Sequence, residues 1–201
     1  MTDSLATLRR VVRSRPTASS IERCEMCAVE IDPAHGHVVD LQSRQLLCAC
    51  RPCYLLFTDE QAHLRYRAVP DRYARLGPVL DERTWDELQI PVGLAFLFHN
   101  SMLGRMVAFY PGPAGATESE LPLDAWDRIV AHSPQLAVLR PDVEALLVRR
   151  DGAGTSCYLV PIDACYELAG RLRTLWQGFD GGPAARAAID AFFGQVQGRA
   201  R

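Results

Sequence analysis

Two short strings govern the reading of this chain: Cys24-Glu25-Met26-Cys27 and Cys48-Ala49-Cys50-Arg51-Pro52-Cys53, with 22 residues between Cys27 and Cys50. A Cys-x-x-Cys pair brings two sulfurs to one side of a tight turn, where backbone N–H groups can hydrogen-bond the thiolates. Two such pairs supply the four donors that Zn²⁺ takes tetrahedrally at about 2.3 Å. The energetics point the same way. A segment of about 35 residues buries too little apolar surface to hold itself together, and small modules of this size rely on a metal or on disulfides. Cys24, Cys27, Cys50 and Cys53 are therefore expected to close around one ion, zinc, with iron as the alternative. Four thiolates would leave a net negative site, which Arg23, Arg44 and Arg51 are placed in the sequence to offset.

Cys48 is left over. It can replace Cys50 as an alternative ligand, act as a redox-active neighbour, or point into the core. Strand alternation puts Cys48 and Cys50 on the same face, which would gather the three late cysteines. His35 and His37 also compete as ligands, although a His-Gly-His loop more often faces solvent.

Outward from this segment, 201 residues suit one medium domain or a domain with a small module. Residues 1–20 read as a flexible basic arm and 21–57 as the cysteine module. Residues 58–87, rich in arginine, read as a helix and connector, broken by Pro70 and Gly77-Pro78. Residues 88–201 read as the main α+β domain. Within the module, strands at 38–41 and 45–49 would form a hairpin. Further on, 92–98 and 106–110 are apolar runs of strand length around a polar turn. Residues 111–115 are loop by composition, and 124–132 are helix-like. A second strand pair, 143–150 and 156–160, flanks Asp151-Gly152-Ala153-Gly154, a turn signal. Two helices close the chain. The first has Asp163 as N-cap and Cys165, Leu168, Leu172 and Leu175 on one stripe. The second starts at Pro183, carries Ile189, Phe192, Phe193 and Val196, and ends before Gly198. The expected fold is α+β: a four-cysteine zinc knuckle, treble-clef-like by analogy, plus a mostly antiparallel sheet backed by helices.

Composition removes several function classes. All 22 basic residues are arginine, so Schiff-base, pyridoxal-phosphate and Walker A lysine chemistry are absent. A net charge of −2 gives no global basic field, and nucleic acid is not an expected partner even with the arginines of 65–83. No apolar run approaches the roughly 18 residues of a membrane span, and no apolar stretch of a secretory or twin-arginine signal follows Arg9 and Arg10. A cytoplasmic protein is expected, in which cysteines serve as metal ligands or core residues. Cys157 and Cys165 read as small buried hydrophobes, and Trp85, Trp126 and Trp176 as core or interface anchors. His99 and His132 have no nearby partner that would form a dyad. No catalytic constellation emerges, and the reading leans away from an enzyme.

Several strings together resemble an uncharacterised bacterial family, a domain of unknown function. They are CEMC (24–27), CACRPCYLLF (48–57), IPVGLAFLFHNS (90–101), AFYPGPAGATESEL (108–121), VEALLVRR (143–150) and PIDACYELAGRLRTLWQGFDGG (161–182). The resemblance spans roughly residues 21–197. Members of that family are often encoded beside genes of oxygen-tolerant uptake nickel–iron hydrogenases. It implies an accessory or partner protein of such a system, bound to a hydrogenase subunit or a maturation factor, and transfers no catalytic residue. Two other functions stay open: a rubredoxin-like iron electron carrier, and metal delivery or redox sensing through Cys48. Ala28 after Cys27 and Tyr54 after Cys53 are not the surroundings usual in rubredoxin.

Overall fold

In the computed structural model of the chain, residues 1–20, 60–63, 78, 81, 88–89, 91–92, 120–132, 153, 179–180 and 201 lie outside the described residues. The basic arm, the helix expected at 124–132, Trp126 and His132 fall among them. The described residues build two antiparallel sheets. The smaller has the order β2-β1-β3, from β1 (Gly36–Asp40), β2 (Gln45–Ala49) and β3 (Tyr66–Ala68). The larger has the order β4-β9-β8-β5-β6-β7. Its strands are β4 (Ala74–Leu76), β5 (Leu94–Asn100), β6 (Arg105–Gly112), β7 (Gly115–Ser119), β8 (Glu144–Asp151) and β9 (Gly154–Pro161). Four α-helices accompany them: α1 (Arg51–Leu55), α2 (Glu82–Glu87), α3 (Ile162–Leu175) and α4 (Gly182–Arg199), with a 3₁₀ turn at Pro134–Val138.

The large sheet is buried on both faces, which explains why its central strands read as unbroken apolar runs. Side chains alternate across a strand. Leu94, Phe96 and Phe98 therefore meet Cys165, Leu168 and Leu172 of α3 and Phe192, Phe193 and Val196 of α4. Ala95 and Leu97 turn the other way, onto Val79, Leu80, Trp85 and Leu136. The expected α+β architecture is present, with helices on the sheet and a cysteine segment beside it.

Four local expectations change. Residues 66–68 and 74–76 are strands, not helix or connector. β3 pairs with β1 through Val38↔Ala68, Val39↔Arg67 and Asp40↔Tyr66, and β4 pairs with β9. Strand edges offer these residues ladder hydrogen bonds that an isolated arginine-rich helix does not. The expected loop 111–115 is a hairpin, with Pro111↔Ala116 and Gly112↔Gly115 in register. Asp163 is not a cap: Pro161 precedes the helix, and Asp163 lies in its first turn. α4 also continues through Gly198 to Arg199. No helix among the described residues is long and apolar enough to cross a membrane.

Candidate metal centre

The first pair of cysteines sits on a backbone knuckle closed by Ala28 N–H donating to Cys24 O (2.8 Å) and Cys24 N–H donating to Val29 O (2.8 Å). Ala28 takes the turn through a left-handed φ of 61°. The second pair opens α1. Cys50 is the residue before the helix, its carbonyl accepts from Tyr54 N–H (2.9 Å), and Pro52 occupies the first turn, where its missing N–H costs nothing. Glu25 joins the halves: its N–H donates to Cys48 O (2.9 Å), and its carboxylate accepts from Cys48 N–H (2.6 Å). Knuckle, hairpin and helix thus follow in the order of a treble clef.

The four sulfurs of Cys24, Cys27, Cys50 and Cys53 lie within 4.8 Å of one another, and Cys27 Sγ and Cys50 Sγ are 3.6 Å apart. Sulfurs placed tetrahedrally at zinc bond length would be spaced about 3.8 Å apart, so the cluster stands at metal-binding distances. None of the seven cysteines forms a disulfide. Electrostatics within the cluster also call for a cation. Burial works to raise the Cys24 thiol, but backbone hydrogen bonds from Cys50, Met26 and Cys27 bring it down to about 6. The Cys53 thiol is pushed up to about 12, chiefly by the neighbouring sulfurs of Cys50 and Cys27. Thiolates packed this closely oppose each other's ionisation unless a positive charge sits among them.

Two of the arginines expected to offset that charge make contacts in or beside the knuckle. Arg23 donates to Glu30 and to Ala28 O, and Arg51 lies over the Tyr54 ring. Arg44 sits in the β1–β2 turn with a φ of 58°. Cys157 and Cys165 are buried in the large-sheet core, as expected, and burial raises both thiols. His99, on β5, has an Nδ1 with no hydrogen-bond partner among the described residues.

Cys48 does not join the four. It stands opposite His37 in the β1–β2 register, and Cys48 Sγ and one ring nitrogen each of His35 and His37 lie within 4.8 Å of one another. Gly36 makes this spacing feasible: a Cβ there would stand 2.6 Å from Tyr54 Cδ2, so the strand between the histidines passes flat against that ring. His37 Nδ1 is 2.8 Å from Asp163 Oδ2, a contact across 126 residues of chain. His35, His37 and Asp163 line a cleft of about 1030 Å³ between the small sheet and α3, with Tyr54, Tyr73 and Arg199 also on its wall. Reading residue types along the chain missed Asp163 and the cleft. The hairpin register carried a signal for the His37–Cys48 pair.

A closed four-sulfur cluster on a knuckle–hairpin–helix segment, set against an antiparallel sheet backed by helices, defines an α+β protein with a candidate metal knuckle. The chain belongs to the family of unknown function DUF5947, whose model matches residues 23–200. That description names no activity and no partner. No curated protein and no solved structure matches the chain.

Proposed function

We propose that the chain is a non-enzymatic accessory protein in which Cys24, Cys27, Cys50 and Cys53 hold one structural Zn²⁺, and that it serves a nickel–iron hydrogenase system in assembly, maturation or docking. The observation that carries the metal reading is the convergence of four sulfurs from two turns within 4.8 Å. A complete set of four protein donors leaves no open position for substrate, which is the character of a structural site. Bound there, zinc would supply folding free energy on the order of 10 kcal/mol, and the chain's own part is to fix the sulfurs with knuckle N–H groups.

The partner reading is supported by the knuckle surface. Val29, Leu55 and Leu56 are exposed there, the last at 68%. Apolar side chains left in water mark contact surfaces where they form one patch, and Leu55 and Leu56 are neighbours at the end of α1. The hydrogenase assignment rests on the resemblance of the quoted strings to proteins encoded beside such genes.

Elemental analysis and an absorption spectrum of protein purified without added metal test the centre. Zinc in a colourless protein is expected. A red, redox-active iron protein would instead establish the rubredoxin-like alternative, and folded protein with no metal would end both readings. For the partner, pull-down with hydrogenase subunits should capture the chain, and Leu56→Asp should abolish capture at unchanged zinc content. Recovery of only free protein counts against docking.

A further inference from the structure

We propose a second metal site, separate from the four-sulfur knuckle, in which His35, His37 and Cys48 hold a borderline divalent cation such as Zn²⁺ and leave one position open toward the cleft. The three donors already converge, with one nitrogen of each ring and Cys48 Sγ inside a 4.8 Å group. Two imidazoles and a thiolate bound tetrahedrally to zinc would be about 3.3–3.6 Å apart, so only a small contraction is required.

The independent observation is the state of the two rings. His35 is held with its side chain only 9% exposed, and its Nδ1 is 2.8 Å from Asp32 O. A carbonyl can only accept, so Nδ1 carries a proton, and in the neutral ring Nε2 is left with its lone pair. That Nε2 is buried without a hydrogen-bond partner among the described residues. A buried acceptor without a partner is costly, and a cation at this point would satisfy it. His37 is prepared in the same way. Its Nδ1 meets the Asp163 carboxylate at 2.8 Å, leaving Nε2 as the nitrogen able to bind a metal. A histidine whose far nitrogen is fixed by a carboxylate is the usual outer arrangement of a metal-bound imidazole, and it sets both tautomer and ring angle. Asp163 is thus a positioning residue that acts through His37. The ring centroids are 4.9 Å apart with the planes inclined at 61°, so the two imidazoles are close but not stacked.

The donor set differs from the knuckle in kind. Three protein donors and a vacant fourth position are the composition of a site that exchanges water or a ligand, whereas four sulfurs are not. His35 and His37 both line the 1030 Å³ cleft, the side from which an exchangeable ligand would approach. The ligand it accepts is one with a donor atom for zinc, such as water, a carboxylate or a thiolate.

The test uses the full chain, saturated with Zn²⁺, and follows alkylation of each cysteine by mass spectrometry. The four knuckle thiols report the first site and Cys48 reports the second, so failure of one reading is visible apart from the other. Two zinc equivalents are expected, with Cys48 protected. His37→Gln should expose Cys48 and remove one equivalent while the knuckle thiols stay protected. Asp163→Asn, which leaves all three donors in place, should weaken the second equivalent about 10- to 100-fold and so covers the case in which His37→Gln does not fold. Co²⁺ in place of Zn²⁺ should show thiolate-to-cobalt absorption that falls but does not vanish in Cys48→Ser. Cys48 alkylation that is the same with and without saturating Zn²⁺ in the wild type, or a zinc count unchanged by Cys48→Ser, overturns the proposal.

Discussion

Ala28 carries the first knuckle through a φ of 61°, a region where a Cβ crowds the following carbonyl and raises the energy by about 1–2 kcal/mol. The conformation is forced, because Cys24 O must accept from the Ala28 N–H for the turn to close. Glycine would adopt the same φ freely, at some cost in unfolded-chain entropy. Ala28→Gly is therefore expected to stabilise the metal-loaded protein by up to about 1 kcal/mol, read as a higher urea midpoint at unchanged slope. A lower midpoint would mean that the alanine methyl makes a packing contact worth more than the strain. Glu144 shows the opposite case, a residue stable only through its partners. Its carboxylate is fully buried and accepts from Arg72 Nε (2.8 Å), Arg72 Nη2 (2.6 Å) and Arg140 N–H (2.9 Å). Arg72→Ala leaves that charge buried with the Arg140 N–H as its donor among the described residues. The loss is expected near the lower end of about 3–5 kcal/mol, since the arginine itself is partly open to water. Double replacement with Glu144→Leu should recover part of it in equilibrium unfolding; no recovery would place the cost in lost arginine packing.

The β1–β2 hairpin shows what was legible along the chain and what was not. Its strands follow from alternation and from the turn residues, and once Asp40 pairs with Gln45, the register alone sets His37 opposite Cys48. The four sulfurs were equally legible, because Cys-x-x-Cys spacing is a local property. β3 and β4 were hidden: three residues are too few to show a period, and their positions are fixed by distant groups. Arg67 reaches Asp142, and Tyr73, just before β4, lies under the Arg199 guanidinium. Asp163 was misread for the same reason, since its partner is 126 residues away. Residues 111–115 look like a loop because proline and glycine are common in loops, yet Pro111 and Gly112 lie past Phe109, where the pairing of β6 with β5 ends, and they pair with β7 alone, so the missing proline N–H is not needed on the β5 side. The hairpin turn also carries a pH dependence. Asp40 Oδ1 accepts from Gln42 N–H (3.0 Å) and Arg65 Nε (2.9 Å), tying the turn to the residue before β3. The Arg65 guanidinium holds this carboxyl well below the usual carboxylate range. The folded state thus binds this proton more weakly than the unfolded chain, whose pKa is about 3.9. The contribution is fully present above that value and is lost as pH falls below it toward the lower folded pKa. The protection of amides 40–45 relative to their intrinsic exchange rate should fall below about pH 4 in the wild type, and Asp40→Asn should show low protection already at neutral pH. Equal protection in the two proteins at pH 7 would rule the interaction out as a stabiliser.

At the scale of the molecule, the two sheets stand on different physical footings. The large sheet lies between two apolar clusters, one under α3 and α4 and one around Trp85 and Leu136, and needs no ion. The small sheet has little interior of its own: Val38 and Ala49 are fully buried, but β2 is otherwise open on one side. It is anchored to the rest by polar contacts, His37 to Asp163 and Arg67 to Asp142, with individual energies of about 1–3 kcal/mol at most, and by Val39 and Leu46, which are only partly buried against the large core. Such links position the module without supplying much of the free energy to order it; under the function proposed above, that role falls to a metal held at the knuckle. Stripping the ion with a chelator should therefore open one part of the molecule and leave the other. Hydrogen exchange followed by mass spectrometry on the full chain should show residues 24–57 losing protection by orders of magnitude, while β5, β6, β8 and β9 keep theirs. Zn²⁺ added back should restore the slow exchange. If the stripped protein keeps a protected 24–57 segment, the apolar contacts of the hairpin are enough to fold it. If both sheets open together, the small sheet and the large one form a single cooperative unit, and the ion supports the whole chain through the His37–Asp163 and Arg67–Asp142 links.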